Sequence, residues 1–103
     1  MVEYKSIADI NSDKVLLIFG AKWCAPCKLI QASVDKLDES TLPCKLVHVD
    51  IETNQELVNK YNITNIPTIV YLKDGKYVKS IVANIQNTVI RCLTVHDYSF
   101  MEE

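Results

Sequence analysis

The sequence predicts an α/β fold in one domain spanning 1–103: a central mixed sheet of five strands flanked by about four helices. Three observations predict it. First, a continuous apolar run, Val15-Leu16-Leu17-Ile18-Phe19, leads into Cys24-Ala25-Pro26-Cys27 and a segment of helical periodicity. Second, strand-like and helix-like segments alternate as far as Tyr61, which calls for parallel strands with right-handed crossovers. Third, beyond Thr68 two strand-like runs flank Asp74-Gly75, a hairpin signal that makes the last pairing antiparallel. The order is a βαβαβ half followed by a ββα half.

Residues 2–5 read as a short first strand. Ser6-Ile7-Ala8-Asp9 sets a hydroxyl three positions before an acid, a helix start, and this short helix stops near Asn11-Ser12-Asp13. Residues 15–19 are apolar without alternation, as in a strand buried on both faces. Gly20-Ala21 lets the chain leave the sheet. In the next helix Pro26 sits in the first turn, where its missing N–H removes no bond. Cys27, Ile30, Val34 and Leu37 fall on one helical face, and Lys28, Gln31, Asp35 and Asp38 on the other. Ser40-Thr41-Leu42-Pro43 is expected to end this helix.

Residues 44–51 form the next strand. Thr53-Asn54-Gln55-Glu56 reads as a capping box opening a helix to about Tyr61. Thr68 to Lys73 is a strand, and Lys76 to Ala83 its antiparallel return. A last helix is expected over 86–95, although Thr88, Val89, Ile90, Thr94 and Val95 are β-branched and poor helix formers. The tail from His96 to Glu103 reads as polar, aromatic and frayed.

Composition narrows the function classes. Apolar residues make up 49%, enough for a single core. The formal charge is −2, from 11 basic and 13 acidic residues, with no basic stripe, so nucleic acid is not expected as a partner. No apolar run is long enough to span a membrane. Met1-Val2-Glu3-Tyr4-Lys5 lacks the pattern of a signal peptide, which leaves a reducing, cytoplasmic location as the expectation. Gly20 and Gly75 are the only glycines, too few and too far apart for a phosphate-binding loop. No bound nicotinamide or flavin is therefore expected, and reducing equivalents must come from a partner.

The chemistry is concentrated in Cys24 and Cys27. A helix N-terminus carries partial positive charge and unpaired N–H donors, which stabilise a thiolate placed there. Cys24, at the helix start, can stay reachable and is the expected attacker. Cys27, one turn on, points to the core and is the expected resolver, the two forming a redox-active disulfide. Lys22 and Lys28 can lower the thiol pKa further by their charge. Trp23, beside a reachable thiol, reads as a substrate contact. Cys24-x-x-Cys27 with Cys44-x-x-x-His48 superficially suits zinc. The amphipathic helix between the pairs, and the position of Cys44 at the start of a buried strand, argue against a metal. Cys44 and Cys92 read as core residues, and His48 as a sheet-end or surface residue rather than a base. Asn62-Ile63-Thr64 matches a glycosylation acceptor that stays idle without a signal peptide.

Trp23-Cys24-Ala25-Pro26-Cys27-Lys28, Asp50 at the end of its strand, Ile66-Pro67-Thr68 and Asp74-Gly75 together resemble the thioredoxin family over nearly the whole chain. The resemblance implies the thioredoxin fold and a cis peptide before Pro67, facing the dithiol. It implies protein-disulfide reductase activity by dithiol–disulfide exchange, with disulfide-containing client proteins as substrates. A thioredoxin reductase drawing on NADPH is the implied electron source. Trp23, Ala25, Pro26, Ile66, Pro67 and Ala83 are the implied substrate-binding residues. The protein is expected to be a monomer whose apolar last helix leaves room for weak dimerisation.

Several positions depart from the family's commoner pattern. Ile18 stands where a buried aspartate is usual, and Leu46 is matched to the lysine that often pairs with it. Gly20 replaces an aromatic residue, Ala32 a proline and Ala83 a glycine, and the dipeptide between the cysteines is Ala-Pro rather than Gly-Pro. In relatives the aspartate is thought to help Cys27's counterpart lose its proton. With Ile18 in its place, the departing client thiolate or a water is expected to take that proton. Two other readings remain at this stage: a glutathione-coupled, glutaredoxin-like reductase, which Trp23 and the dipeptide disfavour, and a non-enzymatic interaction subunit using the same groove.

Overall fold

The computed structural model describes residues 1–82 and 88–101. Its elements in chain order are β1 (Val2–Glu3), β2 (Lys14–Gly20), α1 (Ala25–Asp35), β3 (Lys45–Asp50), α2 (Gln55–Lys60), β4 (Thr68–Lys73), β5 (Lys76–Val82) and α3 (Thr88–Thr94). Short 3-10 helices cover Ile7–Ile10, Glu39–Thr41 and Ser99–Met101. The five strands form one sheet in the order β1-β3-β2-β4-β5. β3 runs parallel to both β1 and β2; β4 is antiparallel to β2, and β5 to β4.

The unbroken apolar run of β2 explains its central place. Leu16 and Ile18 face one side, where they meet Ile30 and Val34 of α1 and Val89, Ile90 and Leu93 of α3. Val15, Leu17 and Phe19 face the other, against Val47, Val49, Val70, Leu72 and Leu57 of α2. Each fully buried aliphatic or aromatic side chain of this kind contributes about 1.5–3 kcal/mol. The hairpin forms as its sequence predicts: Asp74 (φ 52°) and Gly75 (φ 79°) both take left-handed conformations, which matches the twist of the flanking strands.

Other expectations are corrected. Among the described residues there are three α-helices, not about four, because the segment after Ser6 makes only a 3-10 turn. Asp9 closes that turn by accepting the N–H groups of Lys5 (2.7 Å) and Ser6 (3.0 Å). Helix α1 ends at Asp35 rather than at Ser40–Pro43. The N–H groups of Lys36 and Leu37 bond the carbonyls of Ser33 and Val34, which tightens the last turn. Asp38 is then extended, and its carboxylate captures both the N–H and the hydroxyl of Ser40, starting a new turn. Leu37 lies beyond the helix yet still packs on the core.

The Thr53–Glu56 capping box is not made. The N-cap of α2 is Asn54, whose amide donates instead to the Asp50 carbonyl (3.0 Å) and the Thr53 hydroxyl (3.2 Å). β1 is two residues long rather than four, although the N–H of Tyr4 still reaches the His48 carbonyl at 2.8 Å. The tail is anchored: Met101 is buried in the core and Tyr98 and Phe100 pack against it. Ala83 and residues 86–87 of the expected last helix lie outside the described residues. Among the described residues, no helix is long and apolar enough to cross a membrane.

Candidate active site

α1 begins where β2 leaves the sheet, and its N-cap is Cys24 (φ −91°, ψ 110°). The N–H of Cys24 bonds the Ala21 carbonyl (3.2 Å), and its own carbonyl accepts from Lys28 (3.2 Å). Its Sγ accepts the N–H of Cys27 at 3.3 Å. The sulfur thus takes the part that a Ser or Asp oxygen plays at other helix starts. A negative charge on Cys24 would meet a backbone donor and the positive end of the helix.

Both cysteines are free thiols. They are equally covered, at 6% and 7% exposed, so Cys24 is less open than helix periodicity alone suggests. With Ala21 they form a small cluster against which Ile51 and Ile66 pack. Burial, and next the neighbouring Cys24 thiol, push the Cys27 thiol up to about 11.

The facing wall comes from the loop before β4. The Ile66–Pro67 peptide is cis, as the resemblance implies. Pro67 is buried, and Thr68 braces the loop by donating its hydroxyl to the Asn65 carbonyl at 2.6 Å. A groove of about 190 Å³ runs beside the dithiol, lined by Trp23, Ile51, Val58, Ile63, Thr64, Asn65 and Ile66. Trp23 stands 67% exposed at its edge.

The structure therefore brings Trp23 and Ile66 to one groove and packs Ile66 against the cluster of Ala21, Cys24 and Cys27. Ala25 and Pro26 lie exposed on the first turn of α1, and Lys22 and Lys28 are exposed on either side of the cysteines. Sequence reasoning passed over Ile51, which touches both the thiol cluster and the groove. Its position just past the C-terminal end of β3 is a signal, since α/β sites gather at such strand ends. The strand register puts His48, rather than Leu46, directly beside Ile18, while Leu46 pairs with Leu16. Cys44 and Cys92 are both buried. Burial pushes the Cys44 thiol up to about 11.

The thioredoxin family model matches residues 2–94. A thioredoxin of Bacillus subtilis (strain 168) is 41% identical over 76 residues, covering 73% of each chain. A thioredoxin of Chlamydia trachomatis is 31% identical over 98 residues, covering 93% of this chain and 96% of the relative. Among solved structures, Fasciola hepatica thioredoxin superposes with a TM-score of 0.70 at 32% identity, over 87% of this chain and 86% of that one.

Proposed function

Because the chain belongs to the thioredoxin family and is a thiol–disulfide oxidoreductase that reduces protein disulfides, we propose that Cys24 is its attacking thiol and Cys27 its resolving thiol. The observation that carries this is the Cys27 N–H pointing at Cys24 Sγ from the first turn of α1. It favours negative charge on Cys24, whereas Cys27 is held protonated by burial and by its neighbour.

The cycle then runs as thiol–disulfide exchange. The Cys24 thiolate attacks one sulfur of a client disulfide. A Cys24–client bond forms, and the client's second sulfur leaves as a thiolate. Cys27 loses its proton and attacks Cys24 Sγ. The Cys24–Cys27 bond forms, the client's first sulfur departs, and two electrons have passed to the client. No bound cofactor is needed.

In this reading Trp23, Ala25, Pro26, Ile66 and Pro67 receive the client chain, together with Ala83, which lies outside the described residues. Lys22 and Lys28 supply positive charge around the thiols. A thioredoxin reductase using NADPH returns the dithiol to its reduced state. The setting is a reducing cytoplasm, where free thiols such as Cys44 and Cys92 persist.

The test is reduction of a disulfide-bonded protein with thioredoxin reductase and NADPH, and separately with glutathione. The first pair should sustain turnover and the second should not. Cys27→Ser should accumulate a covalent client adduct on Cys24, and a Cys27→Ser protein that traps no client would overturn the assignment.

A further inference from the structure

Three features converge on one side of the sheet. Ile18, beside the dithiol helix, has no ionisable group to receive a proton. Its neighbour across the β2–β3 pairing is His48. Between His48 and α1 lies Gly20. A Cβ on Gly20 would sit 3.2 Å from Cys27 Sγ and 3.5 Å from His48 Nε2. The thiol and the imidazole therefore both border the space that a side chain on Gly20 would fill.

The other ring nitrogen is already committed. His48 Nδ1 lies 2.9 Å from both carboxylate oxygens of Glu3, on the adjoining strand β1. An ionised carboxylate only accepts, so Nδ1 carries the proton, and a neutral ring presents its lone pair at Nε2. Among the described residues, no hydrogen bond occupies Nε2.

We propose that His48 accepts the Cys27 proton in the resolving step, and that Glu3 is the positioning residue that fixes its tautomer. This rests on Cys27 being the resolver. In the step, the S–H bond of Cys27 breaks as an N–H bond forms at Nε2, directly or through one water. The thiolate attacks Cys24 Sγ and expels the client thiolate, and the imidazolium returns its proton to that thiolate or to solvent. A thiol pushed up to about 11 is almost wholly protonated at neutral pH, so an acceptor is required. Among the described residues, the groups placed at His48 are Glu3 from β1, which it bonds, and Cys27 from α1, across Gly20. From β2, Ile18 is its partner in register. On its own strand, the Asp50 carboxylate takes the Glu52 N–H at 2.9 Å, and Arg91 of α3 is exposed.

Dithionitrobenzoate separates the two steps. Attack by Cys24 releases one coloured thionitrobenzoate, and resolution by Cys27 releases the second. In His48→Gln the first release should keep its rate while the second slows roughly 10- to 100-fold. The pH profile of the second release should also change, because the group that takes the Cys27 proton is gone. Glu3→Gln should slow the second release by less. A folded His48→Gln protein with the native second rate and pH profile overturns the proposal. If His48→Gln does not fold, Glu3→Gln decides: a native second rate and pH profile there overturns it equally. Absence of any first release in the unsubstituted protein would instead overturn the assignment of Cys24.

Discussion

Ile18 lies directly beside His48 in the parallel pairing of β2 and β3, so the position that could hold a buried acid has an imidazole as its lateral neighbour. Ile18 is 3% exposed and belongs to the core shared by α1 and α3. Its side chain fills that core and offers the neighbouring imidazole no charge to pair with.

Replacing Ile18 with Asp should therefore lower stability. The substitution removes a buried aliphatic side chain and places a carboxyl among Ile30, Leu46 and Leu93. A loss of about 2–5 kcal/mol is expected, read as a lowered urea midpoint at pH 7. An unchanged midpoint would mean that Ile18's burial contributes nothing.

The reduced protein should weaken at alkaline pH. Cys27 and Cys44 are both raised from 9.0 to about 11 by burial. Between those values the unfolded chain has lost protons that the folded chain still holds, so stability falls as pH rises. Below pH 9 the contribution is fully present, and above about 11 it is gone. Denaturation midpoints of the reduced protein at pH 8 and pH 10.5 should differ more than those of the Cys24–Cys27 disulfide form, which has no Cys27 thiol to titrate. Equal pH dependence in the two forms would contradict the assignment for Cys27.

Met101 makes the tail structural. It is 7% exposed, in the same core as Leu93 and Val89. Met101→Ala should remove about 2–5 kcal/mol, measured by thermal or denaturant unfolding. A loss below about 0.5 kcal/mol would show the tail to be the loose appendage its composition suggests.

The parts legible in the sequence were those written in repeated or local patterns. The apolar run of β2, the spacing of Cys27, Ile30 and Val34, and Asp74-Gly75 each place their own element. What escaped depended on competition between nearby partners. Nothing local says that Asp38 will take Ser40's donors and end α1 early, or that Asn54 will displace Thr53 as the cap. His48 was hidden for another reason: strand register is a relation between segments, and a shift of two residues keeps every side chain on the same face. Only the pairing itself distinguishes Leu46 from His48. Met101 was hidden because a single apolar residue in a polar stretch carries no period.

β1 supplies just two residues to the edge of the sheet, and one of them is Glu3. Edge segments this short open locally at far lower free energy than the whole molecule unfolds. Cys24, in contrast, is presented by α1 and the interior strand β2. With His48 as proton acceptor, the two halves of the catalytic cycle rest on parts of the fold with unequal resistance to opening. Mild denaturant or heat would then relax the clearing step before the capture step, and the protein would hold its clients covalently for longer while still looking folded.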